Sequence, residues 1–279
     1  MFRDRCLLTA LCFYLPSPLA AAWLFVAAIC ALWKRAYTFC AVWAVMLAVV
    51  LMVVALVENH WFRPPVSPAD ARSIRAVHWN IWYGKLGWRG VLTRMAEAQA
   101  DVYVLSEWWP PSDPAEVAAA LGPEFSAKEV FNVAIIARGT LGTAHCLPMK
   151  RGMVCIVPWR FQGRTLRLMA VDLPSNPLAA RAPLLHALED HITQFHPHLV
   201  LGDFNVPRRS CAFDVLPEGY AHAYNDAGAG WSYTWPSPLP VLAIDQCFTG
   251  PGIEALRYRI DATLISDHCM QVLDFVATP

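Results

Sequence analysis

The chain has 279 residues, 56% of them apolar and 16% charged, with 22 basic and 22 acidic side chains. An apolar fraction this high is unusual for a soluble domain. With a formal net charge of zero, a dominant electrostatic grip on nucleic acid through a strongly basic surface is not indicated, which leaves room for a locally basic rim.

The apolar excess is concentrated at the N-terminus. No charged residue occurs from Cys6 to Trp33, Lys34 and Arg35 interrupt, and residues 36–57 are again uncharged. A bilayer-spanning helix needs roughly 20 apolar residues. Residues 1–59 therefore read as a membrane anchor with two transmembrane helices, at about 6–33 and 36–57. The first run is too long for the core of a signal peptide, and no small-residue cleavage site precedes the second. Pro16 and Pro18 predict a kink or break in the first segment.

Residues 60–71 read as a linker, because Pro64, Pro65 and Pro68 prevent a continuous helix. Residues 72–279 suffice for one sizeable core. Within them, residues 74–81 read as a strand, 89–99 as a helix and 101–105 as a second strand. Asp113 and Pro114 mark a helix start and Gly122 its stop. Residues 131–137, 153–157 and 165–171 are strand-like. Leucines at helical spacing cover 178–195, and 198–201 is a short buried strand. Residues 241–248, 256–264 and 270–275 read as strands, which makes an α/β domain with β-rich runs late. Its five cysteines, an odd number without a CxxC pair, argue against both a disulfide framework and a zinc site.

Several apolar strands end in polar residues that a core cannot use. Val77-His78-Trp79-Asn80 ends one, Val104-Leu105-Ser106-Glu107 another, and Leu201-Gly202-Asp203-Phe204-Asn205 a third; Ile244-Asp245 and Ser266-Asp267-His268 follow. Strands converging in a sheet would gather these ends at one rim. Clustered carboxylates repel, and a hard divalent cation relieves that repulsion; magnesium prefers oxygen ligands. Taken singly, each residue also has an ordinary explanation as a turn former, a cap or a structural histidine.

In this order, Trp79-Asn80, Ser106-Glu107, Gly202-Asp203-Phe204-Asn205, Thr234-Trp235-Pro236, Ile244-Asp245 and Ser266-Asp267-His268 resemble the motif series of the endonuclease/exonuclease/phosphatase superfamily. The resemblance covers the whole soluble domain. It implies a four-layer sandwich of two packed mixed β-sheets flanked by helices, with the site at the strand ends. It also implies a magnesium-dependent hydrolase of phosphoester bonds, manganese being an alternative ion. Glu107 is then the main metal ligand, with Asn80 beside it and Asp267 positioning metal or water. Asp203 orients or deprotonates the attacking water, Asn205 holds a phosphoryl oxygen or the water, and His268 contacts the scissile phosphate with its ring fixed by Asp245. Phosphoryl transfer asks for positioning and charge stabilisation of this kind.

Two positions depart from the family pattern. Val171-Asp172-Leu173-Pro174-Ser175 carries Asp172 where family members commonly have a histidine that assists the leaving group, and Gln246 follows the Ile-Asp pair in place of an aromatic residue or histidine. Asp172 reads as a leaving-group acid or a metal-side residue; the competing reading is a catalytically weak phosphate-binding module in which Asp172 marks lost chemistry. Trp108 and Trp235 divide between core packing and substrate contact. Arg208, with Arg209, Lys150 and Arg151, is a candidate for meeting phosphate. The substrate is a phosphoester, nucleic acid or phospholipid headgroup, and the N-terminal helices make the bilayer a partner; no protein partner can be inferred. Arg3, Arg5, Arg63, Arg72 and Arg75 against Lys34 and Arg35 favour a cytoplasmic domain by the positive-inside rule. The likeness to bacterial membrane-anchored members implies instead an inner-membrane protein whose domain faces the periplasm.

Overall fold

The computed structural model describes residues 4, 13–64, 73–109, 113–147, 149, 152–176 and 181–278. Residues 6–12 of the expected first span, 65–71 of the linker, 178–180 of the expected helix, and Lys150, Arg151 and Arg72 lie outside them.

The chain turns at residues 14–16, and α1 (Ser17–Trp33) begins there, with Pro16 at its N-cap and Pro18 in its first turn. Proline is tolerated at a helix start, where its missing N–H is not needed. The expected span 6–33 is therefore not one helix. At ~1.5 Å per residue α1 is about 25 Å long, short of a ~30 Å hydrocarbon core. α2 (Tyr37–Val53) continues through a wider turn, Val54–Glu58. Among the described residues only this helix, Tyr37–Glu58, is long and apolar enough to cross a membrane, so one span meets that test where two were expected. The two helices pack as a hairpin, Trp23 meeting Trp43 edge-to-face at 5.5 Å. Their outer side chains, Phe25, Val26, Phe39 and Val45 among them, are exposed.

Two mixed sheets form the domain. One has the order β12-β13-β1-β2-β4-β3 and the other β10-β11-β9-β8-β7-β5, with β6 paired to β7. Their strands are β1 (Ile74–Asn80), β2 (Val102–Ser106), β3 (Phe125–Val130), β4 (Val133–Arg138), β5 (Thr140–Leu141), β6 (His145–Leu147), β7 (Met153–Phe161), β8 (Arg164–Asp172), β9 (Leu199–Asp203), β10 (Ala221–His222), β11 (Asp245–Thr249), β12 (Ile253–Asp261) and β13 (Met270–Ala277). β1 runs parallel to β2 and β8 to β9; the other pairs are antiparallel.

Alternation along the strands separates three apolar layers. Ile74 and Ala76 of β1, Val102 and Val104 of β2, Leu168 and Ala170 of β8, and Leu199 and Leu201 of β9 meet between the sheets. Val77, Trp79, Tyr103 and Leu105 face outward onto α3 (Trp88–Ala98) and α4 (Pro114–Leu121). Met169, Val171 and Val200 face α5 (Arg181–Phe195) through Leu185, Leu188 and Ile192. The layers run helix, sheet, sheet, helix. Fully buried Trp79, Trp108 and Trp159 anchor them. Each such ring withdraws roughly 150–250 Å² from water, on the order of 4–6 kcal/mol at about 25 cal/mol/Å².

Some expected boundaries shift. α4 starts where Asp113 caps it, accepting from Ala115 N at 2.8 Å, and stops at Gly122. The strand expected at 241–248 begins only at Asp245, and the one expected at 256–264 is Ile253–Asp261, with a bulge between Ala255 and Arg257. β3, the three short strands β5, β6 and β10, and the short helix α6 (Ala223–Ala227) carry too little pattern to be read in sequence. The expected linker is docked where it is described: His60 pairs with Gly230 and stacks on Tyr224 at 4.7 Å.

Candidate active site

The inter-sheet faces turn polar at one end. β1 continues its inner alternation from Ile74 and Ala76 to His78 and Asn80, and β2 from Val104 to Ser106. On the facing sheet β8 ends in Asp172, β9 in Asp203, and β11 begins with Asp245; Asp203 is in register with both of the others. Strand ends and not distant loops therefore bring these groups together. Gly202 makes the pairing possible, since a side chain there would meet the Val171 carbonyl oxygen at 1.8 Å.

Left-handed turns follow two of these strands. Glu107 (φ 53°) and Asn205 (φ 50°) adopt a backbone that costs a non-glycine residue roughly 1–3 kcal/mol. Both line a cavity of about 510 Å³ with Asp203, Trp235, Asp267 and His268. An adjoining cavity of about 490 Å³ holds Asp172, Glu107 and Asn205.

His268 is held from three directions. Its Nδ1 lies 2.8 Å from Asp245 Oδ2 and its Nε2 3.9 Å from Asp203 Oδ2. Its carbonyl accepts from Trp79 Nε1 at 3.0 Å, and its N–H donates to Ser266 Oγ, which in turn donates to Asn80 O at 2.7 Å. Thr234 Oγ1 accepts from the Ile244 and Asp245 N–H groups at 3.2 Å. Burial opposes charge on His268, but Asp245 with Asp203 and Asp267 outweighs it and pushes its pKa up to about 10. Burial also opposes charge on Asp245, yet the His268 ring holds its carboxyl below the usual range. The pair is an imidazolium and a carboxylate. Burial, then the neighbouring Asp245, raises the Asp203 carboxyl well above its usual range.

Asn80 donates Nδ2 to Asp203 Oδ2 at 3.0 Å and accepts from Trp82 N at 3.0 Å. Asn205 donates its N–H to Asp203 Oδ1 and its Nδ2 to Leu173 O, each at 2.9 Å. Asp203 is thereby fixed on both oxygens. Asp172 accepts from Asn132 Nδ2. Burial, aided by Glu107 and opposed by the Asn132 bond, pushes its pKa up to about 6.

A family profile described as Endonuclease/Exonuclease/phosphatase family matches residues 77–268, well over half of the chain. The chain belongs to the endonuclease/exonuclease/phosphatase family. No curated protein matches it in sequence. Among solved structures it is similar to D. rerio TDP2 complexed with single-strand DNA product, at 18% identity and TM-score 0.56 over 74% of this chain and 99% of that one. It is similar to a mannosyl-6-phosphatase of Bacteroides thetaiotaomicron, at 13% identity and TM-score 0.58 over 73% and 100%. It is also similar to an endonuclease/exonuclease/phosphatase protein of Beutenbergia cavernae, at 16% identity and TM-score 0.56 over 75% and 72%. At these identities the likeness is one of fold.

The family's enzymes generally use divalent metal ions. Asp203, Asp245 and His268 bring ligand atoms within 4.8 Å of one another, but Nδ1 of His268 is already spent on Asp245. A hard ion is better matched by the oxygen donors around Glu107. Glu107 and Asp267 line the same cavity, and Asp267 Oδ1, like Asp245 Oδ1, is buried with no hydrogen-bond partner among the described residues, an orphaned carboxylate oxygen that a cation would satisfy.

Two expected substrate contacts are corrected. Trp108 is fully buried and packs on Trp88 at 4.9 Å, because the turn after Glu107 directs it into the layer beneath α3; the next residue, Trp109, is the exposed one. Arg208 points away from the cavity: it donates to Asn225 Oδ1 at 2.6 Å and to Glu58 O, and lies over the Tyr224 ring at 4.6 Å. Trp235 lines the cavity, its Nε1 3.5 Å from Asp267 Oδ2. Gln246 is a buried strut, bridging His222 at 2.8 Å to the carbonyls of Val206 and Ala243 at 2.7 and 2.8 Å.

Sequence reasoning missed two contributors. His78 sits between Ser106 Oγ (3.1 Å) and Gln271 Oε1 (3.2 Å), 3.8 Å from Asp245, and burial drives its pKa down to about 4, so it is a neutral ring behind the charged pair. Asn132 holds Asp172 from the start of β4. The inner-face alternation of β1 was the available signal for His78; Asn132 had none.

Proposed function

We propose that this protein is a magnesium-dependent hydrolase of phosphoester bonds, held at a membrane by its N-terminal hairpin. The observation that carries the reading is Asp203, fixed by Asn80 and Asn205, lying 3.9 Å from a His268 ring kept charged by Asp245. A water held by Asp203 attacks phosphorus, the ester P–O bond breaks, and the alcohol leaves with a proton. A carboxylate with a raised pKa is suited to take the water's proton. The His268 imidazolium, held by Asp245, stabilises negative charge growing on the phosphoryl oxygens, and Asn205 offers its amide oxygen to the water. In this reading Asp172, with a pKa of about 6, gives its proton to the departing oxygen. Glu107, with Asp267 and Asn80, would hold Mg²⁺ or Mn²⁺, which supplies charge neutralisation at the phosphate when bound.

Chelator-treated protein titrated with magnesium against bis(p-nitrophenyl) phosphate tests this reading. Metal-dependent turnover supports it. Binding of phosphate without turnover would favour the binding-module alternative.

The apolar exterior of the hairpin supports a membrane anchor; the family resemblance is what puts it in the bacterial inner membrane with the catalytic domain on the periplasmic side. Alkaline phosphatase fused at the C-terminus should be active; an inactive fusion beside an active cytoplasmic reporter rejects that orientation.

A further inference from the structure

The hairpin does not hang from the catalytic domain on a loose tether. The Glu58 carboxylate accepts from Ser17 Oγ at 2.6 Å and from the Tyr233 hydroxyl, so one acid ties the start of α1 to the end of α2 and both to the domain. The Glu58 carbonyl accepts from Ser232 Oγ at 2.7 Å and from Arg208. Asn59 is fully buried and accepts from Ser232 N at 2.7 Å, and Trp61 stacks on Trp231 at 5.7 Å.

This latch carries the entry to α1 into the catalytic cavity. Tyr14 lines it together with Glu107, Asp203 and His268, and so does Arg181 from the first turn of α5. The Tyr14 hydroxyl meets the Arg181 side chain. Arg181 is 8% exposed. Its terminal nitrogens donate to Pro174 O and Asn176 O, the latter at 2.8 Å, and fix the fork. Its Nε has no hydrogen-bond partner among the described residues. A buried guanidinium with an unmet donor is costly, and oxyanions satisfy it best. The mechanism at His268 and Asp203 does not use this cation.

The position of the subsite selects its ligand. Tyr14 stands three residues before α1, whose exposed side chains Leu19, Trp23, Phe25 and Val26 are apolar. The wall of the cavity therefore runs directly into the surface that faces lipid. A nucleic-acid substrate would call for a basic track along the backbone, and the chain's net charge is zero.

We propose that the hairpin completes the active site: Tyr14 and Arg181 form a subsite for the headgroup oxygens of a lipid-borne phosphoester that reaches the cavity along α1. This rests on the hydrolase and anchor readings above.

The test uses full-length protein with magnesium in phosphatidylcholine vesicles doped with phosphatidic acid or phosphatidylglycerol. Glycerophosphate, bis(p-nitrophenyl) phosphate and a single-stranded oligonucleotide are the soluble substrates. The wild type should show a kcat/KM on one of the two lipids at least about tenfold above that on glycerophosphate. Arg181→Ala and Tyr14→Ala should lower kcat/KM on the lipid about tenfold more than on the nitrophenyl ester, the worth of one charge-assisted hydrogen bond. Arg181→Lys and Tyr14→Phe, gentler on folding, should fall between. A wild type that hydrolyses the nitrophenyl ester without preferring lipid, or prefers the oligonucleotide, overturns the proposal and leaves the hydrolase reading standing. Equal losses on lipid and nitrophenyl ester do the same. A wild type inert on every substrate overturns both.

Discussion

Asp172 and Asp203 stand side by side at the ends of the parallel strands β8 and β9. Burial raises both carboxyls, Asp172 to about 6 and Asp203 well above its usual range. Two adjacent buried carboxyls resist being ionised together, so the proton that one of them keeps is available to a departing oxygen.

If Asp172 is the leaving-group acid, Asp172→Asn should cost about 10²–10⁴ in rate on an alkyl phosphoester and little on a nitrophenyl ester. Activity on the alkyl ester should fall as pH rises through about 6, because Asp172 then loses its proton. The variant should lack that limb of the pH profile. Equal losses on both esters would assign Asp172 to structure or to the metal side.

The His268–Asp245 pair makes a stability prediction with a definite sign. The folded pKa of His268, about 10, lies above its ordinary 6.5. Its contribution is fully present below pH 6.5 and is lost as pH rises through about 10. The melting temperature of the wild type should drop across that window more than that of His268→Gln. Parallel drops would show that the ring is not charged in the fold.

Metal removal should abolish turnover, and magnesium or manganese should restore it, since carboxylate oxygens select hard ions. Glu107→Ala should remain deeply impaired at magnesium concentrations that saturate the wild type, with its melting temperature nearly unchanged. Wild-type rates in the presence of chelator would remove Glu107 from the mechanism.

The two tryptophans should separate cleanly. Trp108→Ala should destabilise the domain by about 3–5 kcal/mol, the usual result of emptying a buried aromatic site, measured by denaturant unfolding. Trp235→Ala should spare most stability and raise KM. Reversed outcomes would undo the reassignment of Trp108 to the core.

Three of the catalytic strand ends were readable before any folding. Apolar runs that stop at Asn80, Glu107 and Asp203 are legible because alternation and a sudden polar residue are local patterns. The helix start at Asp113 and the apolar hairpin are local in the same sense. What each group faces emerged only from the packing of the two sheets. Trp108 and Trp109 are indistinguishable in sequence, yet one turn of backbone after Glu107 buries the first and exposes the second. Arg208 looked like a phosphate contact until Glu58, 150 residues away, claimed it. His78 became visible behind Asp245 only when the two sheets closed. Such assignments depend on pairings between segments far apart in the chain, and local periodicity carries no record of them.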